Sequence, residues 1–283
     1  MATSRTSVDG VPVDLAERYG LPPFEQAEPL GGGYHNTLLR AGDWVIRIEA
    51  RAPESVAWEH ALVGFLAAAI PEVLAPLRAL DGSSYLVEGD RVVSLLPFVE
   101  GERGGEGAAE LLARIHLRAL EWPAPGQRPG RPSYRDLDWE RNDWWDWSVV
   151  PKPPELVRAF ERVRRFVADA PPLVVCPVHG DLAAQNLISR NGRVAALIDW
   201  EYARLDWPAL ELANAAWTLA DDPYRFVDEY AAAGGPGERE YLDEGIRLRL
   251  VANALYQLTR AAEGGAWSRD WVEALLAELR ELE

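Results

Sequence analysis

The residues best suited to chemistry lie in VVCPVHGDLAAQNLI, residues 174–188, and just beyond it. His179, Asp181 and Asn186 fall between two apolar runs, and Asp199 ends the apolar stretch RVAALID. A loop carboxylate such as Asp181 can accept, or orient, the proton of an attacking hydroxyl. An ionised carboxylate closing a buried strand is costly unless it is paired or metal-bound, which draws attention to Asp199. A hairpin between Asn186 and Asp199 would bring the two side by side. An amide oxygen and a carboxylate are hard ligands suited to Mg²⁺ already partly held by phosphates. Taken alone, Asp199 reads as a strand-end cap of the following turn. Taken with Asp181 and Asn186, it points to phosphoryl transfer, which asks a protein mainly for positioning and charge stabilisation. His179, two places before Asp181, reads as support for the loop rather than as a base. Cys176 reads as a core residue.

Upstream, Gly31, Gly32 and Gly33 leave backbone N–H groups able to approach phosphates, although a plain turn fits the same residues. Arg47 sits inside the apolar strand WVIRI, where a charge needs a partner. Glu59, on the helix that follows, supplies one, and the pair resembles the strand-Lys to helix-Glu ion pair of protein kinases, which implies that Arg47 reaches the α- and β-phosphates of ATP. The alternative is an edge-strand Arg facing water and a Glu on a solvated helix face. Leu96, Pro97, Phe98 and Val99 form a connector whose backbone could hold adenine, and an ordinary linker fits equally. No G-x-x-x-x-G-K-[ST] segment exists, so a P-loop is excluded. Lys152, between prolines, is the only lysine, so a cation placed on phosphate must be Arg.

The elements that must position these residues follow from periodicity. A short helix is expected at 11–19, strands around the glycine turn and at 44–49, and a helix from Pro53 over ESVAWEHALVGFLAAA. Strands at 73–80, 84–88 and 90–97 complete a mostly antiparallel sheet with one helix. After the Pro/Gly connector 97–107, a helix covers 108–121, a Pro/Gly loop 122–136, and helical stretches lie near 138–147 and 154–168. A strand at 173–178 precedes the Asp181 loop, and Asn191–Gly192 marks a hairpin. From about 208 onward the chain is helical. The expected class is α+β, with a nucleotide-binding lobe at 1–97, a hinge at 98–103 and a helical lobe at 104–283.

Composition limits the partners. Of 283 residues, 48% are apolar and 26% charged, an ordinary globular balance. The net charge of −16 argues against nucleic acid. No apolar run reaches the length of a membrane span, and the N-terminal stretch lacks an apolar signal core. One cysteine excludes an intrachain disulfide and a cysteine-rich zinc site. A cytoplasmic protein is expected.

HGDLAAQN, then IDW, then ELA, with GGGYHNTLLR and WVIRI upstream, resemble the aminoglycoside phosphotransferase and choline kinase group, relatives of protein kinases. The resemblance spans about residues 28 to 217. It implies a two-lobed kinase-like fold, ATP and Mg²⁺ as cofactors, Asp181 as the catalytic carboxylate, and Asn186 and Asp199 as metal ligands. Two departures stand out. Ala183 occupies a place where the family often has His, and Arg47 stands where protein kinases carry Lys. Arg keeps its charge and can donate two bonds to a phosphate, so an active enzyme is expected.

The acceptor is expected to be a small, amine-bearing alcohol, an aminoglycoside or other antibiotic in a resistance-type kinase, with homoserine or a choline-like amino alcohol in a metabolic kinase as the alternative. DLDWERNDWWDW, 136–147, combines acids with indoles and suits an ammonium group, with Trp144 and Asp146 as candidates. Packing of the indoles and solvation of the acids is the competing reading. Asp181, Glu201, Asp206 and Glu211 are further acceptor candidates. An inactive ATP-binding module and a metal-dependent hydrolase remain as alternatives. The intact Asp181, Asn186 and Asp199 count against the first. The second leaves Gly31–Gly33, Arg47 and Glu59 unexplained.

Overall fold

The computed structural model describes residues 11–31, 36–123 and 126–283. They divide into two compact units that are not single runs of sequence. The first contains the residues through Glu106 with Arg128–Gly130 and Gln185–Glu201; the second contains Gly107–Gln127, Arg131–Ala184 and Tyr202–Glu283. The class is α+β, with an antiparallel sheet in the N-terminal part and helices in the C-terminal part.

The first unit is built on a five-stranded antiparallel sheet. Its order is Glu28–Pro29, Thr37–Ala41, Trp44–Glu49, Arg91–Pro97, Leu86–Glu88. Side chains alternate across a strand, and the central strand Trp44–Glu49 uses this fully. Ile46 and Ile48 join Leu39, Val93, Leu95, Leu15 and Tyr19 in one apolar core. Arg47 and Glu49 therefore point to the opposite face. Helix Pro53–Ala67 starts with Pro at its first position, where no N–H is needed. It buries Val56, Leu62, Val63 and Leu66 together with Glu59.

A second sheet in this unit runs Glu102–Arg103, Leu187–Arg190, Arg193–Leu197. Asn191 and Gly192 turn its hairpin with φ of 52° and 79°, the paired left-handed conformation that Asn-Gly favours. The strand expected at 73–80 does not form. Val73 makes a single bridge to Leu197, and Leu77 donates one backbone bond to Leu95. Pro71 and Pro76 lack the N–H groups that a ladder requires.

The second unit consists of helices Ala108–Leu120, Pro154–Asp169, Pro208–Leu219, Pro223–Ala232, Leu242–Ala262 and Arg269–Glu281. Strand Cys176–Val178 pairs antiparallel with Arg204–Asp206. Gly245 lets Leu242–Ala262 approach Pro208–Leu219, because a Cβ there would lie 2.4 Å from the Ala213 methyl. The helix expected near 138–147 is replaced by tight turns. The Asp138 carboxylate accepts from the N–H groups of Glu140 and Arg141, and the Asn142 amide oxygen from those of Trp144 and Trp145. Such local bonds compete with the helical ladder. Trp139 and Trp145 then anchor the segment in the core, while Trp147 stacks on Phe160 at 4.0 Å.

Candidate active site

In the first unit the Arg47 strand delivers a guanidinium to a buried charge cluster. Arg47 donates to Glu59 Oε1 at 2.6 Å and to Glu49 Oε1 at 3.1 Å. Arg51 pairs with Glu49 and, at 2.7 Å, with Glu59 Oε2. Arg128 donates to the same Oε2 at 2.7 Å. Burial opposes ionisation on both sides of this cluster, but the partners prevail. Glu59 and Glu49 hold Arg47 protonated above its usual range, with Asp199 adding to the effect. Arg47, Arg51 and Arg128 hold Glu59 well below the ordinary carboxylate range. Burial, followed by the field of Arg47, pushes the neighbouring His60 down to about 3. Three guanidiniums face two carboxylates here, with Asp199 a third carboxylate acting on Arg47.

Asn186 and Asp199 both belong to this unit. Asn186 is buried and closes a short 3₁₀ turn, and its carbonyl accepts from the Ile198 N–H at 2.9 Å. The hairpin thus returns the chain beside Asn186 one residue before Asp199. Asp199 is exposed with φ of 66°, a left-handed conformation that costs a residue other than Gly about 1–3 kcal/mol. Among the described residues no group of three or more His, Cys, Asp or Glu could hold a metal by itself. One amide oxygen and one carboxylate nevertheless fit Mg²⁺, which takes one or two protein oxygens and completes its shell with phosphates and water.

The other nucleotide candidates are unevenly placed. Gly31 lies exposed in a turn, while Gly32 and Gly33 fall outside the described residues. Leu96 and Pro97 end the strand Arg91–Pro97, opposite Val45 and Trp44. The Phe98 N–H is committed to Asp43 at 2.8 Å, and its ring lies 3.9 Å beneath the Arg40 guanidinium. Pro97 has no N–H. Leu96 pairs with Val45 within the ladder, so of these four residues Val99 is the one placed to offer an N–H to a base. Glu201 is buried and accepts from the Asn36 amide at 2.7 Å.

In the second unit the catalytic-loop candidate is held by Glu211. Its Oε1 accepts from Gly180 N–H at 2.5 Å, and its Oε2 from His179 N–H and His116 Nε2, both at 2.9 Å. Burial opposes its charge, yet His116 leads the groups that bring its pKa below the ordinary value. His179 Nδ1 accepts from the Asp181 N–H at 3.3 Å, so the imidazole shapes the loop. Gly180 adopts φ of 86°, and a Cβ there would meet the Tyr202 carbonyl at 2.4 Å. Only glycine fits. Burial pushes the Cys176 thiol up, in keeping with an inert core residue.

Asp181 itself is partly exposed and receives a bond from Arg249 Nη2 at 2.8 Å. Arg249 also donates to the Tyr134 hydroxyl at 3.1 Å, and its buried Nε has no hydrogen-bond partner among the described residues. The Arg204 guanidinium lies 4.5 Å over the Tyr134 ring and bonds Asp206 at 2.7 Å. Asp206 is buried and also accepts from the Ser133 hydroxyl and from the Tyr134 and Trp207 N–H groups. Asp146 accepts from Ser148 and faces Arg141. Trp144 is half-buried, with Arg131 6.0 Å from its ring. Asp206 and Glu211 are therefore fully engaged by internal donors. A cavity lined by Tyr134, Arg204, Glu211, Asn214 and Arg249 measures about 20 Å³, far smaller than a ligand pocket.

Arg249 and Arg128 were not among the residues singled out from sequence. Arg249 lies in GIRLRLVANAL, a charge within an apolar helical run, the signal that identified Arg47. Arg128 lies in a Pro/Gly loop, where nothing local marks it.

The model of the "Phosphotransferase enzyme family" matches residues 26–244. A homoserine kinase of Gluconobacter oxydans (strain 621H) is 25% identical over 215 residues, covering 70% of this chain and 67% of the relative. Among solved structures, an amicoumacin kinase in complex with AMP-PNP, Ca²⁺ and Ami superposes with a TM-score of 0.68 at 14% identity, covering 91% of this chain and 87% of the other. A choline/ethanolamine kinase family protein from Mesorhizobium loti gives 0.66 at 19%, covering 95% and 92%. These likenesses establish the kinase-like fold. The chain belongs to the phosphotransferase enzyme family, as a kinase acting on hydroxyl groups of small molecules.

Proposed function

From that membership we propose that the enzyme moves the γ-phosphate of ATP to the hydroxyl of a small molecule carrying both an amine and a carboxylate, a hydroxy amino acid of the homoserine class. The observation that carries the acceptor reading is the Arg249 guanidinium bonded to Asp181. A carboxylate-bearing acceptor gains a cationic partner there, beside the group that handles its hydroxyl. A polycationic antibiotic would meet this Arg as a like charge, and Asp206 and Glu211 are already committed to internal donors. The homoserine kinase relative supports the same choice.

In this reading Asp181 orients the acceptor hydroxyl and takes its proton as the new O–P bond forms and the bond to the β–γ bridging oxygen breaks, releasing ADP. Arg47, held by Glu59 and Glu49, faces the α- and β-phosphates. Asn186 and Asp199 would hold a divalent cation, Mg²⁺ as the expected ion, which neutralises charge on the phosphate oxygens. The amicoumacin kinase, with a nucleotide analogue and Ca²⁺, supports a divalent ion. The segment Leu96–Val99 serves the adenine.

The test is Mg²⁺-dependent ADP release from ATP across homoserine and other hydroxy amino acids, choline-like alcohols and aminoglycosides. Turnover with hydroxy amino acids, with KM rising at least tenfold in Arg249→Met and partly restored in Arg249→Lys, is the expected result. Turnover confined to aminoglycosides, with Arg249→Met unaffected in KM, would reject the acceptor assignment. That second reading draws on the exposed acids and the half-buried Trp144 of residues 136–147.

A further inference from the structure

The first unit contains a charged side chain that the reaction as described does not use. Arg128 is 1% exposed, the largest fully buried side chain of the described residues. Its sequence neighbours on both sides belong to the helical unit, while Arg128–Gly130 belongs to the first. Every nitrogen of its guanidinium has a partner. Nε donates to Ser55 Oγ at 3.0 Å, and Nη2 to Glu59 Oε2 at 2.7 Å, both on helix Pro53–Ala67. Nη1 donates to the carbonyls of Trp200 and Glu201, at 3.0 and 3.2 Å. Those carbonyls belong to the two residues directly after Asp199. The Trp58 ring lies 5.9 Å from the guanidinium.

A left-handed Asp persists only where its surroundings over-determine it. Before Asp199, the Ile198 N–H is fixed to Asn186. After it, Arg128 fixes two successive carbonyls, and Asn36 fixes the Glu201 side chain. We propose that Arg128 is a positioning residue. It holds the Asp199 carboxylate where a divalent cation is received beside Asn186. It also ties that position to Glu59, the partner of Arg47. A planar fork can meet a carboxylate and two carbonyls at once, which the point charge of Lys cannot. The inference rests on the reading of Asn186 and Asp199 as metal ligands.

The experiment measures binding of a fluorescent ATP analogue to the full chain during a Mg²⁺ titration, and again in excess chelator. It needs no acceptor and no turnover. Arg128→Lys keeps the charge beside Glu59 and loses the fork. It is expected to raise the Mg²⁺ concentration for half-maximal tight binding about tenfold, as two lost hydrogen bonds allow. Metal-free nucleotide affinity should change less than about twofold, on the order of a single weakened bond. Amides of residues 198–203 should exchange faster with deuterium, while those of the strand Trp44–Glu49 stay protected. Ser55→Ala removes one bond and no charge, and should shift the Mg²⁺ requirement by about threefold in the same direction. It decides the matter alone where Arg128→Lys does not fold. Folded variants with an unchanged Mg²⁺ requirement, or with equal losses with and without metal, overturn the role of Arg128. A wild-type protein whose nucleotide binding ignores Mg²⁺ would instead overturn the metal reading of Asn186 and Asp199.

Discussion

In the first unit, three guanidiniums gather around two buried carboxylates; in the second, one buried carboxylate, Glu211, gathers two backbone N–H groups and an imidazole. Both clusters lie out of water, and both carboxylates have their pKa brought down by their partners. Their outputs differ. The first holds a guanidinium charged beside a strand. The second is saturated, and what it delivers is the shape of the loop that presents Asp181. The lesson is that a buried carboxylate is no sign of ligand contact until its acceptor sites have been counted. Glu59 has both oxygens taken by Arg47, Arg51 and Arg128, as Glu211 has both taken by the loop and His116.

Substitutions can break this contrast at several strengths. The largest effect should come from Asp181→Asn, the group that the second cluster exists to present. It should lower kcat by about 10²–10⁴, the usual worth of a positioned acid–base group, with ATP affinity unchanged in a binding titration. Full activity would remove Asp181 from the mechanism. Next is Glu59→Gln, which leaves Arg47, Arg51 and Arg128 facing Glu49 alone. Breaking a buried ion network from one side costs about 3–5 kcal/mol, to be read from denaturant unfolding. A loss below about 1 kcal/mol, the worth of an exposed pair, would show that the first cluster is not the strained, cation-rich site described.

Glu211→Gln sharpens the contrast from the other side. An amide keeps one acceptor oxygen, so one loop N–H loses its partner at about 1–3 kcal/mol. The expected signature is a kcat about tenfold lower, equivalent to 1.4 kcal/mol, with nucleotide affinity intact. A change confined to KM for the acceptor would mean that Glu211 touches substrate.

A separate effect, read on stability rather than turnover, is the pH dependence carried by His60. Its folded pKa lies near 3 against the ordinary value of 6.5. Between these values the unfolded chain holds a proton that the folded protein does not, so stability falls as pH drops through that window. The slope is at most about 1.4 kcal/mol per pH unit. His60→Gln should flatten the stability profile between pH 6.5 and 3. The depressed carboxylates Glu59 and Glu211 keep their contribution above their ordinary range and lose it only as pH falls through their lowered values.

Part of this was legible in the chain itself. The five-stranded sheet, the helix after it, the Asn191–Gly192 hairpin and the C-terminal helices follow from periodicity, and most appear within a few residues of expectation. The pairing of Arg47 with Glu59 was readable because a charge in an apolar strand demands a local partner. The helix expected at 138–147 failed because Asp138 and Asn142 capture nearby N–H groups, a local competition that apolar spacing does not reveal. The strand at 73–80 failed at its prolines.

What the sequence determined by itself is the reaction class. HGDLAAQN and IDW stand at a spacing that covalent connectivity sets, and they carry the resemblance to the family whose model matches residues 26–244. Only the tertiary structure decided which charges serve that stretch. Arg128 reaches the residues after Asp199 across more than seventy positions, and Arg249 reaches Asp181 across 68. Glu211 and Asp206 turned inward because donors from distant segments saturate them. Long-range partners leave no trace in local periodicity, because burial and hydrogen-bond satisfaction are properties of the packed chain.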